Sequence, residues 1–263
     1  MKYVVDHDFH IHSQLSSCSR HPEQTPARIL QYAREFGLSK IVLTDHYWDS
    51  AVPGASKWYE PQNFDHIAQF RDLPQAPGVE FLFGCETDLD RFGRVGVPAS
   101  RYDDFSFIIV PTTHMHMKGF TITEEDFCVD ERVARLWVER FDALLNSELP
   151  FHKVGVAHLA CPLMNKTSRA AYLHTLDLIP SQQMERLFTK AAQLGCGIEI
   201  NEHFSSEEAG CVLRMFRIAK ACGCKFYFGS DAHGPDQFED HLAFGKYVVD
   251  LLELREEDKF YIG

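Results

Sequence analysis

Two histidines one residue apart, His10 and His12, lie in the segment DFHIHS (residues 8–13), close behind an apolar run. Because residues i and i+2 of an extended chain point to the same side, both imidazoles would converge on one point. A metal ion explains such a pair, and so does a chance pair of polar residues at a strand end. The pair alone leaves both explanations open.

Each of seven apolar runs ends in side chains of the kinds that bind metals. They are His10 and His12, Asp45 and His46, Glu86, His114 and His116, His158, Glu199 and Asn201, and Asp231 and His233. Imidazole and carboxylate ligands without cysteine are typical of zinc, manganese or iron, and there are too many here for one ion. Buried acids and imidazoles crowded together would be costly without cations. The pattern therefore predicts more than one divalent metal ion.

The elements that must position these side chains alternate between apolar runs and helical segments. The runs span residues 3–12, 40–46, 79–90, 105–116, 153–160, 196–204 and 225–233, and helical periodicity is clearest over 26–36, 124–146 and 182–194. Gly37 and Gly195 stand where helices commonly end. Continuous apolar strands between helices predict a parallel α/β sheet. Polar residues at the C-terminal ends of strands favour a β/α barrel, and an open doubly wound sheet is the alternative.

Composition favours one domain over residues 1–263, since 45% of the residues are hydrophobic and no linker divides the chain. No run approaches the ~20 apolar residues that a membrane span needs. The N-terminus lacks the apolar core of a signal peptide. The eight cysteines are then expected as reduced thiols, and the protein is predicted to be cytoplasmic.

The net charge of −12 disfavours long nucleic acids as partners, because it repels a phosphate backbone and no Lys/Arg cluster offsets it. A small phosphorylated substrate fits this surface better. The oligomeric state is left open.

Seven motifs in this order and spacing resemble the PHP (polymerase and histidinol phosphatase) superfamily, from about residue 8 to residue 233. They are DFHIHS, LTDH, GCETD, VPTTH, VAHL, GIEIN and GSDAH. The resemblance implies a distorted seven-stranded (β/α)7 barrel, similar to a TIM barrel, with the metal site at the C-terminal ends of the strands. It also implies two or three metal ions and usually phosphoesterase activity.

The resemblance also implies a ligand set. The first metal would take His10, His12, Glu86 and Asp231; the second Glu86, His114 and His158, with Glu86 bridging; the third His46 and His233. Relatives usually supply a further His or Asp shortly after the first histidine pair, where this chain has Cys18. Either the Cys18 thiolate or His21 could fill that position.

Several other residues have two interpretations. His116 competes with His114, which the strand register favours. Asp8 and Asp45 would orient histidines or act as ligands, and Asn201 would shape the pocket. The aromatic loop 46–64 would wall the site or pack over it. Histidines away from the strand ends are expected at the surface: His7, His66, His152, His174 and His241. Cations after strand ends could hold a phosphate or carboxylate, although each alone is typical of surface charge: Arg20, Arg91, Arg94, Lys118 and Arg169.

The sequence therefore predicts a metal-dependent hydrolase, foremost a phosphomonoesterase acting on histidinol phosphate, a nucleotide or a sugar phosphate. Water activated between two metals would attack the phosphorus atom, and Glu86 would bridge the two metals. Asp231 or a third-site histidine such as His233 would protonate the leaving group. The alternatives are hydrolysis of a C–N bond, as in amidohydrolases, and a PHP module that holds metal without catalysis.

Overall fold

The computed structural model describes residues 1–19, 21–201, 204 and 209–262. Its strands are β1 His7–Ile11, β2 Lys40–Leu43, β3 Glu80–Phe83, β4 Cys85–Glu86, β5 Ile108–Pro111, β6 Val154–Ala157, β7 Gly197–Ile200 and β8 Lys225–Phe228. Its α-helices are α1 Pro26–Phe36, α2 Phe64–Ile67, α3 Asp130–Leu145, α4 Arg169–Leu178, α5 Ser181–Leu194, α6 Ala209–Ala221 and α7 Phe238–Leu251.

The strands form two parallel sheets, with the orders β1-β2-β3 and β4-β5-β6-β7-β8. In the first, β2 and β3 pair from Lys40 opposite Glu80 to Leu43 opposite Phe83. In the second, every neighbouring pair is also parallel. Since parallel strands share one direction, their C-terminal ends lie at one edge of each sheet. The predicted parallel α/β fold is confirmed.

The run 79–90 forms two strands rather than the one predicted, because the chain changes sheets at Gly84. The Gly84 amide donates to the Leu43 carbonyl in the first sheet (2.8 Å), and the Cys85 amide donates to the Phe107 carbonyl in the second (3.1 Å). A Cβ atom at position 84 would lie 2.6 Å from the Phe107 oxygen, so only glycine fits this crossing.

The two sheets meet through isolated bridges, Ile11 with Ala232 and His46 with Glu86. The Asp231 amide also donates to the His10 carbonyl (2.7 Å), which places the end of β1 beside the end of β8. The prediction of a seven-stranded barrel was therefore wrong in strand number, since the described residues form eight strands in two sheets without a continuous closed ladder.

Capping residues set the helix limits. Thr25 accepts a hydrogen bond from the Arg28 amide at the start of α1, and Pro26 occupies its first turn. Gly37 and Gly195 end α1 and α5 with positive φ (71° and 75°), as predicted. The helix predicted over 124–146 begins only at Asp130. A turn in which the Asp126 amide donates to the Thr123 hydroxyl holds the preceding residues.

Apolar side chains form two principal layers. The larger core joins the outer faces of the strands to the helices and includes Trp137, Phe141 and Phe188. A second cluster lies between the sheets and takes in Phe260 and Ile262 from the C-terminal segment. The chain end therefore packs against the inner faces of the strands.

No α-helix of the described chain is long and apolar enough to cross a membrane. All eight cysteines are free thiols.

Candidate metal centre

The side chain of Glu86, at the end of β4, lies at the centre of the strand ends. Its Oε2 atom is 2.8 Å from His46 Nδ1 and 3.3 Å from His12 Nε2. Its Oε1 atom is 3.3 Å from His158 Nε2. Glu86 is 1% exposed, so its charge is almost wholly shielded from bulk water. The two carboxylate oxygens thus face different histidines.

All eight predicted metal ligands come together in three groups, within each of which the candidate ligand atoms lie within 4.8 Å of one another. The groups are His10, His12, Glu86 and Asp231; Glu86, His114 and His158; and His12, His46 and His233. The sequence had assigned the first two groups in the same composition. His12 joins both the first and the third group.

The hydrogen bonds of His12 fix which ring nitrogen carries its proton. Ser16 Oγ donates its one hydrogen to Asp45 Oδ1 (2.7 Å), so it accepts from His12 Nδ1 (2.8 Å). When the ring is neutral, Nε2 of His12 then carries the lone pair. His10 Nδ1 lies 2.7 Å from Glu199 Oε1, and because this carboxylate accepts from Nδ1, Nε2 carries the lone pair when His10 is neutral, as a metal ligand must be.

Two observations show that these residues fit divalent metal ions. The Nε2 atoms of His10 and His12 are 3.1 Å apart, and ligand atoms about 2.1 Å from one shared cation have such a spacing. Glu86 Oε2 and His46 Nδ1 are buried and 2.8 Å apart, yet neither forms a hydrogen bond. Orphaned acceptors that converge in this way are satisfied by a cation.

Electrostatics also favour cations. Burial lowers the pKa of His10, but the carboxylates of Glu199, Asp231 and Glu86 outweigh it and raise this pKa well above its usual value. Burial raises the pKa of Glu86, and neighbouring histidines, His46 first, bring it well below its usual range. The centre therefore keeps its carboxylates ionised and attracts positive charge, whether protons or metal ions.

Two of the proposed ligands have left-handed backbone conformations, His158 with φ 32° and Asp231 with φ 52°. Non-glycine residues rarely adopt this region, and the surrounding hydrogen bonds hold them there. The His158 amide donates to Glu199 Oε2 (2.9 Å). No sequence pattern indicated this conformation.

Carboxylates behind the ligands orient them, and sequence reasoning missed two of these roles. Asp88 Oδ2 lies 2.9 Å from His114 Nδ1, and Glu199 contacts both His10 and the His158 backbone. Asp88 stands two residues after Glu86, so strand alternation could have suggested that its side chain points into the same site. Such partners fix the ring and raise ligand basicity.

The other proposed orienting residues act less directly on the ligands. Asp45 reaches His12 through Ser16. Asp8 accepts from the backbone amides of His10 (3.2 Å) and Ser230 (2.9 Å), and burial raises its pKa to about 6. Asn201 donates to the Gly229 carbonyl.

Cys18, not His21, lies beside the third group. Its Sγ atom is 2.9 Å from His233 Nε2, whereas His21 Nδ1 accepts from the Glu23 amide. Burial, with Glu86 and Asp231, raises the pKa of the Cys18 thiol to about 12. The thiol would therefore ionise only against a neighbouring cation.

A cavity of about 610 Å³ opens over the metal centre. Six lining residues belong to the three groups or adjoin them: Cys18, His46, Glu86, His114, Asp231 and His233. Another part of the lining is apolar and consists of Trp58, Met117, Phe120 and Leu163. The remaining lining residues are two lysines, Lys57 and Lys118, together with Ser56 and His116. The loop 46–64 thus supplies part of the wall.

Of the predicted substrate cations, Lys118 lines this cavity. Arg91 lines a different cavity, Arg94 pairs with Asp90 (2.7 Å), and Arg169 begins α4 beside a third. Arg20 lies outside the described residues.

His7, predicted at the surface, is in fact 2% exposed. The alternation of β1 does not reveal this burial, since all five of its residues are buried.

The PHP domain family model matches residues 8–203, and the chain therefore belongs to this family. A search of curated proteins by sequence finds no match. Among solved structures, the fold is similar to histidinol phosphate phosphatase from Lactococcus lactis subsp. lactis, crystallised with zinc, L-histidinol and phosphate. That match has a TM-score of 0.63 at 16% identity and covers 98% of this chain and 100% of that one.

The putative histidinol phosphatase of Listeria monocytogenes is also similar, with a TM-score of 0.65 at 13% identity, over 90% of this chain and 99% of that one. At such identities, both likenesses show the fold.

Proposed function

We propose that this protein is a metal-dependent phosphomonoesterase that binds two or three divalent cations, zinc, manganese or iron. One observation carries the proposal: Glu86 directs its two oxygens at different histidine groups, which suits a carboxylate shared between two cations. The Lactococcus enzyme, which was crystallised with zinc, L-histidinol and phosphate, supports a small phosphorylated substrate.

Bound cations would supply Lewis acidity at the phosphoryl oxygens and lower the pKa of water. The chain supplies orientation. Glu199, Ser16 and Asp88 hold the Nδ1 atoms of His10, His12 and His114, which leaves their Nε2 atoms free to bind metal.

Asp231 is suited to move the proton. Burial raises its pKa, but His10, His233 and His12 bring it well below its usual range, so the side chain begins as a carboxylate. It lines the cavity and is half-buried. We propose that it accepts the proton of the attacking water and returns it to the leaving alkoxide as the P–O bond breaks.

We also propose that residues 1–263 act as one domain, because the C-terminal segment packs between the sheets that carry the site.

A substrate panel tests the function. With added Mn²⁺ or Zn²⁺, we expect the protein to hydrolyse phosphomonoesters in preference to phosphodiesters and amides. Glu86→Gln should lower kcat by at least about 100-fold, because the amide lacks both the charge and the second anionic oxygen. Circular dichroism would verify its fold, and Glu148→Gln, an exposed change outside the site, is the matched control.

Faster hydrolysis of amides than of phosphomonoesters would instead indicate the amidohydrolase-like alternative. A metal-loaded protein inactive on all three substrate classes would indicate a non-catalytic module.

A further inference from the structure

We propose that the alcohol part of the substrate is a flat apolar ring carrying a further negative charge at its far end. This inference rests on the proposed function, since it assumes that the phosphate lies at the metal centre. It concerns the part of the substrate that the metals do not touch.

The ring would pack on Trp58. This side chain is half-buried and lines the cavity, and its ring meets that of His46 edge-on at 4.8 Å. His46 belongs to the third ligand group, so a phosphate held by metals at these groups would have its ester group near Trp58. Met117 and Leu163 are also half-buried in this wall. Such partly covered apolar surface favours an aromatic or other flat group.

The further charge would face Lys57 and Lys118. Both line the cavity and are exposed. Lys118 has one exposed ion-pair partner, Glu124 at 3.3 Å, and Lys57 forms no ion pair with any described residue. In a chain of net charge −12, two lysines at one cavity form a local positive surface that attracts anions.

A cationic group at this end of the substrate would meet the two lysines, and the carboxylate beside them, Glu124, already pairs with Lys118. Among the described residues that line the cavity, the carboxylates are Glu86 and Asp231, and both belong to the ligand groups. The cavity should therefore disfavour esters with an ammonium group.

Four phosphonates, which are not hydrolysed, test this selection without depending on catalysis. They are methylphosphonate, benzylphosphonate, 4-carboxybenzylphosphonate and 4-(aminomethyl)benzylphosphonate. Calorimetry on the metal-loaded protein should give the tightest binding for the carboxylate compound and about tenfold weaker binding for the ammonium compound, as expected for two exposed charges. Methylphosphonate should bind more weakly than benzylphosphonate.

Variants separate the contribution of Trp58 to ligand binding from that of the two lysines. Trp58→Ala should weaken binding of the three ring compounds by about three- to tenfold and leave methylphosphonate unchanged. Lys57→Glu combined with Lys118→Glu should reverse the order of the carboxylate and ammonium compounds. Lys246→Glu, an exposed charge reversal on α7 outside the cavity, should preserve the order.

The inference is overturned if the ammonium compound binds tightest, if the ring compounds bind alike, or if none of the four binds. Hydrolysis of phenyl phosphate by the same preparation reports separately on the proposed function. Its absence alongside the expected binding order would contradict the function and leave the ligand class standing.

Discussion

Cys18 stands where the resemblance to the family implies a His or Asp ligand, and here a thiol takes that position. Because its Sγ atom lies 2.9 Å from His233 Nε2, we expect Cys18→Ser to lower the zinc content by up to one ion per chain. Thiolate favours zinc over manganese, so the variant should also lose zinc preference at that position. Elemental analysis measures both.

His21→Ala is the matched control for Cys18, since the sequence left these two residues as alternatives. We expect it to keep the full zinc content, because the His21 ring contacts its own turn. Loss of an ion from His21→Ala but not from Cys18→Ser would contradict the assignment.

At the residue scale, the sequence predicted the set of ligand candidates that the structure brings together. Strand alternation accounts for this success, because His10 and His12 must share a face. Alternation says nothing of which ring nitrogen carries the proton. That depends on Ser16 and Glu199, which reach the rings from other parts of the chain.

At the scale of elements, Arg140 on α3 forms hydrogen bonds with the loops that follow β4 and β5. Its buried guanidinium donates to the carbonyls of Leu89 (2.7 Å), Thr112 (2.8 Å) and Thr121 (2.8 Å). It also lies 3.5 Å from Asp88, the partner of His114. Through Asp88, Arg140 on α3 thus helps to orient the proposed ligand His114.

We expect Arg140→Met to lower the free energy of unfolding by about 3 kcal/mol, because it leaves buried carbonyls and Asp88 without their partner. Denaturant titration of the metal-free protein measures this loss. Arg135→Met, an exposed change on the same helix, should alter stability by less than about 0.5 kcal/mol. Equal effects of the two variants would contradict the role of Arg140.

His7 links β1 to β8 and should make stability depend on pH. Its Nδ1 lies 3.0 Å from Asp6 Oδ1, and its Nε2 accepts from the Phe228 amide (3.0 Å), which requires a neutral ring. Burial lowers the pKa of His7, although Asp6 opposes this. Tyr3, Glu256 and Lys259 are its other polar or charged neighbours.

Because the folded pKa of His7 lies below its unfolded value of about 6.5, the unfolded chain binds the proton more readily. The stabilisation should therefore be present above about pH 6.5 and decrease as the pH falls below it. Denaturant titrations of metal-free wild type and His7→Gln would isolate this term from the other histidines. The wild type should lose more stability than the variant between pH 7.5 and 5.5, and parallel curves would contradict the account.

Hydrophobic periodicity predicted most of the helices and strands. It did not predict those of their ends that depend on single backbone contacts. Both glycine helix ends followed from local conformational preference. The break at Gly84 did not, since it depends on a close approach to Phe107, distant in sequence. The late start of α3 depends on the turn at Thr123, which a continuous helical period conceals.

At the scale of the whole molecule, the parallel α/β class followed from the alternation of apolar runs with helices, but the division of the predicted barrel into two sheets did not. Closure depends on how the first and last strands meet, and here Ile11 and Ala232 form an isolated bridge. The packing of Phe260 and Ile262 between the sheets was likewise invisible in a short terminal segment without a repeating pattern.

The number of metal ions per chain shows whether Glu86 is shared between two cations, on which the proposed catalysis depends. Elemental analysis of wild-type protein kept away from chelators should return at least two zinc, manganese or iron ions per chain. Glu86→Gln should bind fewer, and Glu148→Gln should match the wild type. One ion or none in the wild type, or an unchanged content in Glu86→Gln, would contradict the account.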